Sequence, residues 1–236
     1  MATSTCSSMP ICDGRGHAKM KTTSRAVNSI LWTVVLLLIT DVAVWAQELS
    51  TKNVRTEESD LANVVVDALR DASGAEIAWL PAAAFNEVTL SKDTPPGEIV
   101  SRLLPYRDDR VVVLKLTGAQ IQQALERALT LYPQPNAGFL QVSGLQVTFD
   151  PAKPAGERVV RVQVGTENKQ DLNPQREYRV ATSATLAYGA LGYFKVWERS
   201  AIERETDKTV GDALRAYLEA GKPIAGVSGR IVAMKP

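Results

Sequence analysis

The chain has 236 residues, of which 45% are hydrophobic and 22% are charged, and its 27 basic and 26 acidic side chains give a net charge of +1. The two signs are interleaved along the chain. This argues against a nucleic-acid-binding protein, because such proteins concentrate Lys and Arg on one face. The length suits one domain with a single core.

The N-terminal segment has the order of features that marks a secretion signal. Residues 19–25 are basic, residues 30–40 are apolar, and residues 44–46 end in a small side chain. We therefore predict a signal peptide over residues 1–46. A membrane anchor is the alternative, but the apolar run is shorter than the ~20 residues that a spanning helix needs, and Asp41 interrupts its continuation.

Cleavage of this signal would remove Cys6, Cys12 and His17, which are all the thiols and the one imidazole of the chain. Two thiols and one imidazole also lack the fourth ligand of a structural zinc site. Met20 begins a compact signal of ordinary form, so a start-site error upstream is a further alternative. We expect a periplasmic or secreted protein that keeps no stable membrane anchor after cleavage.

Residues 47–58 are polar and predict a tether, so that the folded domain would span residues 59–236. Ser59 is a suitable N-cap for a helix that ends at Gly74. The apolar positions of this segment recur at helical spacing, which predicts one buried face.

The middle of the chain alternates strand and helix patterns. Residues 75–80 predict a buried strand that ends at Pro81, and residues 95–97 begin a brief helix through Leu104. Residues 110–116 are rich in valine and predict a strand. Thr117 is then a natural N-cap for a helix over Ala119–Leu131, whose outer face would present Glu126 and Arg127 to water.

The remaining segments predict a hairpin, a strand, a helix and a closing strand, over residues 145–164, 178–182, 210–220 and 229–234 respectively. Helices and hairpins therefore follow one another in a mixed order. This order predicts an α+β fold, in which a mixed sheet with hairpins packs against amphipathic helices.

Catalytic patterns are missing from the part of the sequence after the predicted signal. A serine nucleophile without histidine would need a lysine base in an S-x-x-K arrangement, which does not occur, and neither does a G-x-S-x-G elbow or a phosphate loop. The acidic groups Glu57-Glu58-Asp60 and Asp108-Asp109 lack the distributed ligands of a calcium loop and predict solvated charge. We predict no catalytic residue, no metal site and no cofactor in this chain.

Five sequence elements, taken together in order, are more specific than any of them alone. They are LTGAQIQQALE at Leu116–Glu126, GFLQVSG at Gly138–Gly144, Asp150, GERV at Gly156–Val159 and GALGY at Gly189–Tyr193. This series resembles the C-terminal, substrate-binding domain of the 5′-nucleotidases over roughly residues 54–232.

The resemblance implies a role in nucleotide catabolism. Members of that family hydrolyse phosphate esters at a two-metal site in a separate N-terminal domain, where the metals activate a bridging water. The motifs of that site, DxH and GNHE, are missing from this sequence. The resemblance therefore implies that hydrolysis depends on a separate metallophosphoesterase chain as partner.

The resemblance also implies which residues would bind a nucleotide or nucleoside. Two aromatic rings of the family sandwich the nucleobase, and Phe139 and Tyr193 occupy the matching positions, with Gly189 and Gly192 beside Tyr193. Stacking on aromatic rings contributes about 1–3 kcal/mol per base. The alternative is that both rings pack in the core.

Arg107 is the further candidate for substrate binding, since a guanidinium group suits phosphate. Arg102 and Arg110 flank it around Tyr106. The alternative is that these arginines form surface ion pairs with the neighbouring Asp108 and Asp109.

The chain departs from the family pattern at two substrate-contacting segments. LPAAAFN at Leu80–Asn86 replaces an Asn-Gly-Gly-Gly-x-Arg segment, and Leu191 replaces the aspartate of GGDGY. Two hypotheses follow: an exported nucleoside-binding or nucleotide-binding domain, or a degenerate structural or protein-interaction module without a small ligand.

Overall fold

The computed structural model describes residues 48–224 and 226–235. The predicted signal peptide, with Cys6, Cys12 and His17, lies outside the described residues. Within them the helices are α1 (Asp60–Ser73), α2 (Pro96–Leu103), α3 (Gly118–Ala128), α4 (Ala184–Ala187) and α5 (Val210–Glu219). None of these helices combines the length and the apolar character that crossing a bilayer requires.

The strands form three sheets. In chain order they are β1 (Glu48–Ser50), β2 (Ile77–Pro81), β3 (Thr89–Ser91), β4 (Arg110–Thr117), β5 (Leu140–Ser143), β6 (Leu145–Phe149), β7 (Val159–Val164), β8 (Gln170–Asp171), β9 (Glu177–Ser183), β10 (Ile202–Thr209) and β11 (Ile231–Ala233). Short 3₁₀ turns lie at Ala82–Ala84, Ala190–Lys195 and Arg199–Ala201.

The helix ends follow the capping chemistry that the sequence predicts. The Ser59 hydroxyl accepts a hydrogen bond from the Ala62 amide at the start of α1, and Gly74 adopts the left-handed conformation, with φ 66°, at its end. Thr117 and Gln120 form a reciprocal capping box at the start of α3.

The central sheet has the strand order β10-β4-β9-β2-β5, in which β9 and β2 are parallel and the other neighbours are antiparallel. α1 packs against β2 and β5, and its apolar stripe joins the core. A second sheet, β11-β6-β7-β8, contains the predicted hairpin β6-β7. The α+β prediction, a mixed sheet with hairpins and amphipathic helices, is confirmed.

The prediction of a tether over residues 47–58 is wrong for the described residues 48–58. β1 pairs with β3, and Leu49, Thr51 and Val54 are buried. The buried Gln141 side chain fixes the segment, because its Nε2 donates to the carbonyl oxygens of Val54 and Glu57. The polar composition of the segment could not predict this contact, because Gln141 lies more than 80 residues further along the chain.

The helix α3 also differs from its prediction, because it ends at Ala128 rather than Leu131. The side chains of Asn136 and Arg158 donate to the carbonyl oxygens of Ala128 and Leu129, which replaces a further helical turn. Glu126 is not simply solvated either, since its carboxylate accepts the backbone amides of Arg158 and Val159 at 3.0 and 2.6 Å.

Candidate functional site

Three segments that the sequence singles out meet at one end of the central sheet. The amides of Ala82 and Ala83 donate to the carbonyl oxygens of Phe139 and Ala137 at 2.7 and 2.9 Å. The Tyr193 hydroxyl donates to the carbonyl oxygen of Gly138 at 2.7 Å. The structure therefore brings together the Ala82–Ala84 turn, the aromatic loop before β5 and the Gly189–Tyr193 segment.

The rings of Phe139 and Tyr193 are both buried, with exposed fractions of 1% and 0%. Trp197 stacks on Tyr193 with 5.1 Å between ring centroids and 26° between ring planes. The guanidinium carbon of Arg127 lies 5.5 Å from the Tyr193 centroid. Burial raises the pKa of the Tyr193 hydroxyl far above its usual range, against a lowering by Arg127. Neither ring offers a free face in this structure, so their role in a base sandwich stays a prediction.

Gly189 and Gly192 have backbone reasons to be glycine. Both have positive φ, and a Cβ atom on Gly189 would lie 2.7 Å from the Cβ atom of Phe194. Leu191 between them also has a left-handed backbone, with φ 56°, which is unfavourable for a leucine. Arg127 stabilises this turn, because its Nε donates to the Leu191 carbonyl oxygen at 2.9 Å.

A cavity of about 360 Å³ lies between the two segments at which the chain departs from the family pattern. Its inner wall is apolar and comes from β2, the end of α2 and the starts of α4 and α5. The buried side chains of this wall are Leu80, Leu104, Leu186 and Val210. A concave, mainly apolar space of this size suits a small organic ligand.

The outer part of the cavity is formed by residues of the divergent segments. Ala83 and Ala84 lie on one side and Leu191 on another, and Tyr106 lines it with 68% of its surface exposed. Tyr106 and Leu191 were not predicted as ligand contacts. Tyr106 could have been predicted as a ligand contact, because it is an aromatic residue in the exposed loop before β4.

Besides the Tyr106 hydroxyl, the polar side chains of the cavity are those of Asp109, Ser183 and Thr185. The two carboxylate oxygens of Asp109 each lie 3.3 Å from the Thr185 amide nitrogen, which donates to them, and Asp109 is half-buried. The prediction that Asp109 is merely solvated charge is therefore wrong. A carboxylate at the cavity wall can accept hydrogen bonds from hydroxyl or amino groups of a ligand.

The predicted arginine candidate lies outside the cavity lining. Arg107 is exposed, and its carbonyl oxygen accepts the Gly211 amide at 2.8 Å. Arg102 pairs with Glu98 at 3.0 Å instead of with Asp108 or Asp109. A phosphate contact by Arg107 stays a prediction.

Several residues of the sequence elements hold the fold together. The Ser143 hydroxyl donates to Asp67 at 2.6 Å and accepts from Arg70 at 2.8 Å. A Cβ atom on Gly144 would lie 2.2 Å from the Glu76 carbonyl oxygen. The GFLQVSG element thus has a structural role in addition to any role in binding.

The described part of the chain has no cluster of side chains suited to bind a metal ion. Across residues 48–224 and 226–235, no three His, Cys, Asp or Glu side chains cluster in a way that could hold an ion. These residues therefore do not fit the two-metal site that the resemblance implies for the N-terminal domain of the family.

Comparison with known proteins identifies the family. Residues 38–199 match the family described as "5'-nucleotidase, C-terminal domain". The trifunctional nucleotide phosphoesterase protein YfkN of Bacillus subtilis is 32% identical over 167 residues, which cover 68% of this chain and 11% of that protein. A 5'-nucleotidase-related protein of Glossina morsitans morsitans is 30% identical over 195 residues, covering 75% of this chain and 35% of that protein.

The crystal structure of a 5'-nucleotidase precursor from Thermus thermophilus is similar in fold. The TM-score is 0.69 at 27% sequence identity, and the match covers 89% of this chain and 43% of that chain. The chain thus spans between about a tenth and two fifths of the length of these relatives.

Proposed function

Because this chain belongs to the 5′-nucleotidase C-terminal domain family, we propose that it binds a nucleoside-like ligand in the cavity between Ala84 and Leu191. The observation that carries the proposal is the position of this cavity. It lies where the Ala82–Ala84 turn and the Gly189–Tyr193 segment meet, and these are the two segments that correspond to substrate contacts of the family.

The shape and chemistry of the cavity support a ligand of this class. Its volume of about 360 Å³ lies within the range of small-molecule sites, and its inner wall can cover an apolar ring. Tyr106 supplies an exposed aromatic ring at the opening. In this proposal Phe139 and Tyr193 act through the loops that they anchor, and they would touch a base only if a ring face became uncovered.

The proposal assigns the chain to nucleotide catabolism outside the cytoplasm. It places phosphoester hydrolysis on a separate metal-bearing chain, which would hold the phosphate group, while this domain holds the nucleoside part of the ligand. The names of the relatives, which include nucleotide phosphoesterases and 5'-nucleotidases, support the reaction class. The predicted signal peptide over residues 1–46 supports export.

A mixing experiment tests the partner. The purified 236-residue chain is added to a metal-loaded metallophosphoesterase chain from the same source, and AMP hydrolysis is measured. The proposal expects a change in rate or in preference among nucleotides. An unchanged rate and unchanged preference at saturating chain would contradict it.

The second candidate is an interaction module without a small ligand. The covered faces of Phe139 and Tyr193 favour it, as do the exposed rings of Tyr106 and Phe194, at 68% and 64%. Calorimetric titration with adenosine, AMP and a UDP-sugar separates the two functions, because the interaction module predicts no heat of binding with any of them.

A further inference from the structure

We propose that the cavity selects a nucleoside over the corresponding 5′-phosphate, and that Asp109 is the residue that disfavours the phosphate. This inference rests on the proposed function and specifies its ligand. It concerns the uncharged product of phosphomonoester hydrolysis rather than the charged substrate.

The charge of the lining is the first support. Of the described residues that line the cavity, Asp109 is the one with a charged side chain, and none is Lys or Arg. The remaining polar lining groups are the hydroxyls of Tyr106, Ser183 and Thr185. A phosphate group in this space would find no cation on the cavity wall.

The fixed position of Asp109 is the second support. The Thr185 amide donates to both carboxylate oxygens of Asp109 at 3.3 Å. The backbone carbonyl oxygen of Asp109 accepts a hydrogen bond from the Val210 amide at 2.8 Å. No ion pair among the described residues includes Asp109. The neighbouring Arg107 and Arg110 are exposed and do not line the cavity.

Electrostatic repulsion disfavours a phosphate group beside Asp109. A phosphomonoester carries between one and two negative charges at pH 7. Repulsion between like charges is stronger beside an apolar wall than in water, because the effective dielectric constant is lower. A nucleoside instead presents hydroxyl groups that can donate hydrogen bonds to the carboxylate. The cavity therefore favours the uncharged ligand.

Paired calorimetric titrations with adenosine and AMP test this selectivity. They use the 236-residue chain, the Asp109→Asn variant and the Asp108→Asn variant. Asp108 is the matched control, since it is the adjacent carboxylate in the chain but is exposed and does not line the cavity. Thermal unfolding of each variant establishes that it is folded.

We expect the wild-type chain to bind adenosine at least about tenfold more tightly than AMP, and Asp109→Asn to bring this ratio to within about threefold. Asp108→Asn should keep the wild-type ratio. AMP affinity equal to or above that of adenosine overturns the selectivity, and a ratio unchanged by Asp109→Asn overturns the role of Asp109. If the folded chain binds neither compound, the proposed function itself fails.

Discussion

The hydroxyl group of Tyr193 donates a 2.7 Å hydrogen bond to the carbonyl oxygen of Gly138, 55 residues earlier in the chain. This bond joins the GALGY segment to the loop that precedes β5. Trp197 covers a face of the same ring. Tyr193 therefore fixes the relative position of two loops at one end of the central sheet.

Removing this hydroxyl should destabilise the fold. In Tyr193→Phe the buried Gly138 carbonyl oxygen loses its side-chain partner, and we expect the free energy of unfolding to fall by about 1–2 kcal/mol. Urea denaturation measures the loss. Tyr188→Phe is the control, because the Tyr188 hydroxyl donates to Glu205 at an exposed site, and its loss should be much smaller. Equal losses in the two variants would contradict the account.

Tyr193→Ala should be far more damaging, with a loss of about 3–5 kcal/mol, because it also removes a buried ring that stacks on Trp197. We expect a lower thermal midpoint and a smaller urea midpoint than in Tyr193→Phe. A loss of ligand binding in Tyr193→Ala would for this reason not identify Tyr193 as a ligand contact.

Alkaline pH should weaken the contribution of Tyr193 to the stability of the fold. Burial raises its pKa in the folded chain above the unfolded value of about 10. The contribution of the Tyr193 hydroxyl to the free energy of unfolding is therefore complete below pH ~10. It is lost as the pH rises further, because only the unfolded chain then releases the hydroxyl proton. Urea unfolding of wild type and Tyr193→Phe between pH 8 and 11 should show their stability difference shrinking above pH 10. A stability difference that stays constant over this pH range would contradict the burial of the Tyr193 hydroxyl.

Leu191→Asn should stabilise the chain. Leu191 adopts φ 56° and ψ 20°, a left-handed conformation that asparagine tolerates far better than leucine. We expect a gain of about 1 kcal/mol in the free energy of unfolding. Leu131→Asn is the control, because Leu131 is also exposed, at 53%, and has no positive φ. A loss of stability in Leu191→Asn as large as in the control would mean that the turn is not strained.

Local chemistry made much of the fold predictable. Ser59 and Thr117 cap their helices as the sequence predicts, and Gly74 ends α1 in the left-handed conformation. The hairpin β6-β7 follows from alternating side chains around a turn at Pro151–Gly156. Each of these features depends on residues close together in the chain.

Features that depend on distant contacts were not predictable. β10 reads IERETDKT, a charged sequence that forms a strand because it pairs with β4 at the edge of the central sheet. Likewise the polar segment 48–58 is ordered by Gln141. In both cases the stabilising partner, β4 or Gln141, is far away in the chain.

The candidate site was predictable in part. The sequence elements around Phe139 and Tyr193 do meet in space, as their shared resemblance implies. The burial of the Tyr193 ring was not predictable, because Trp197 and Arg127 contact this ring and no motif marks them. The position of Asp109 at the cavity depends in the same way on Thr185, 76 residues away in the chain.

The central claim is that a nucleoside-like ligand occupies the cavity beside Ala84. Calorimetric measurement of adenosine affinity in Ala84→Phe tests it most directly, because a phenyl ring at this half-buried lining position would fill part of the space of about 360 Å³. Ala155→Phe, in the exposed turn between β6 and β7, is the matched control. The account predicts at least about tenfold weaker binding in Ala84→Phe and no change in Ala155→Phe. Wild-type affinity in a folded Ala84→Phe variant would contradict it.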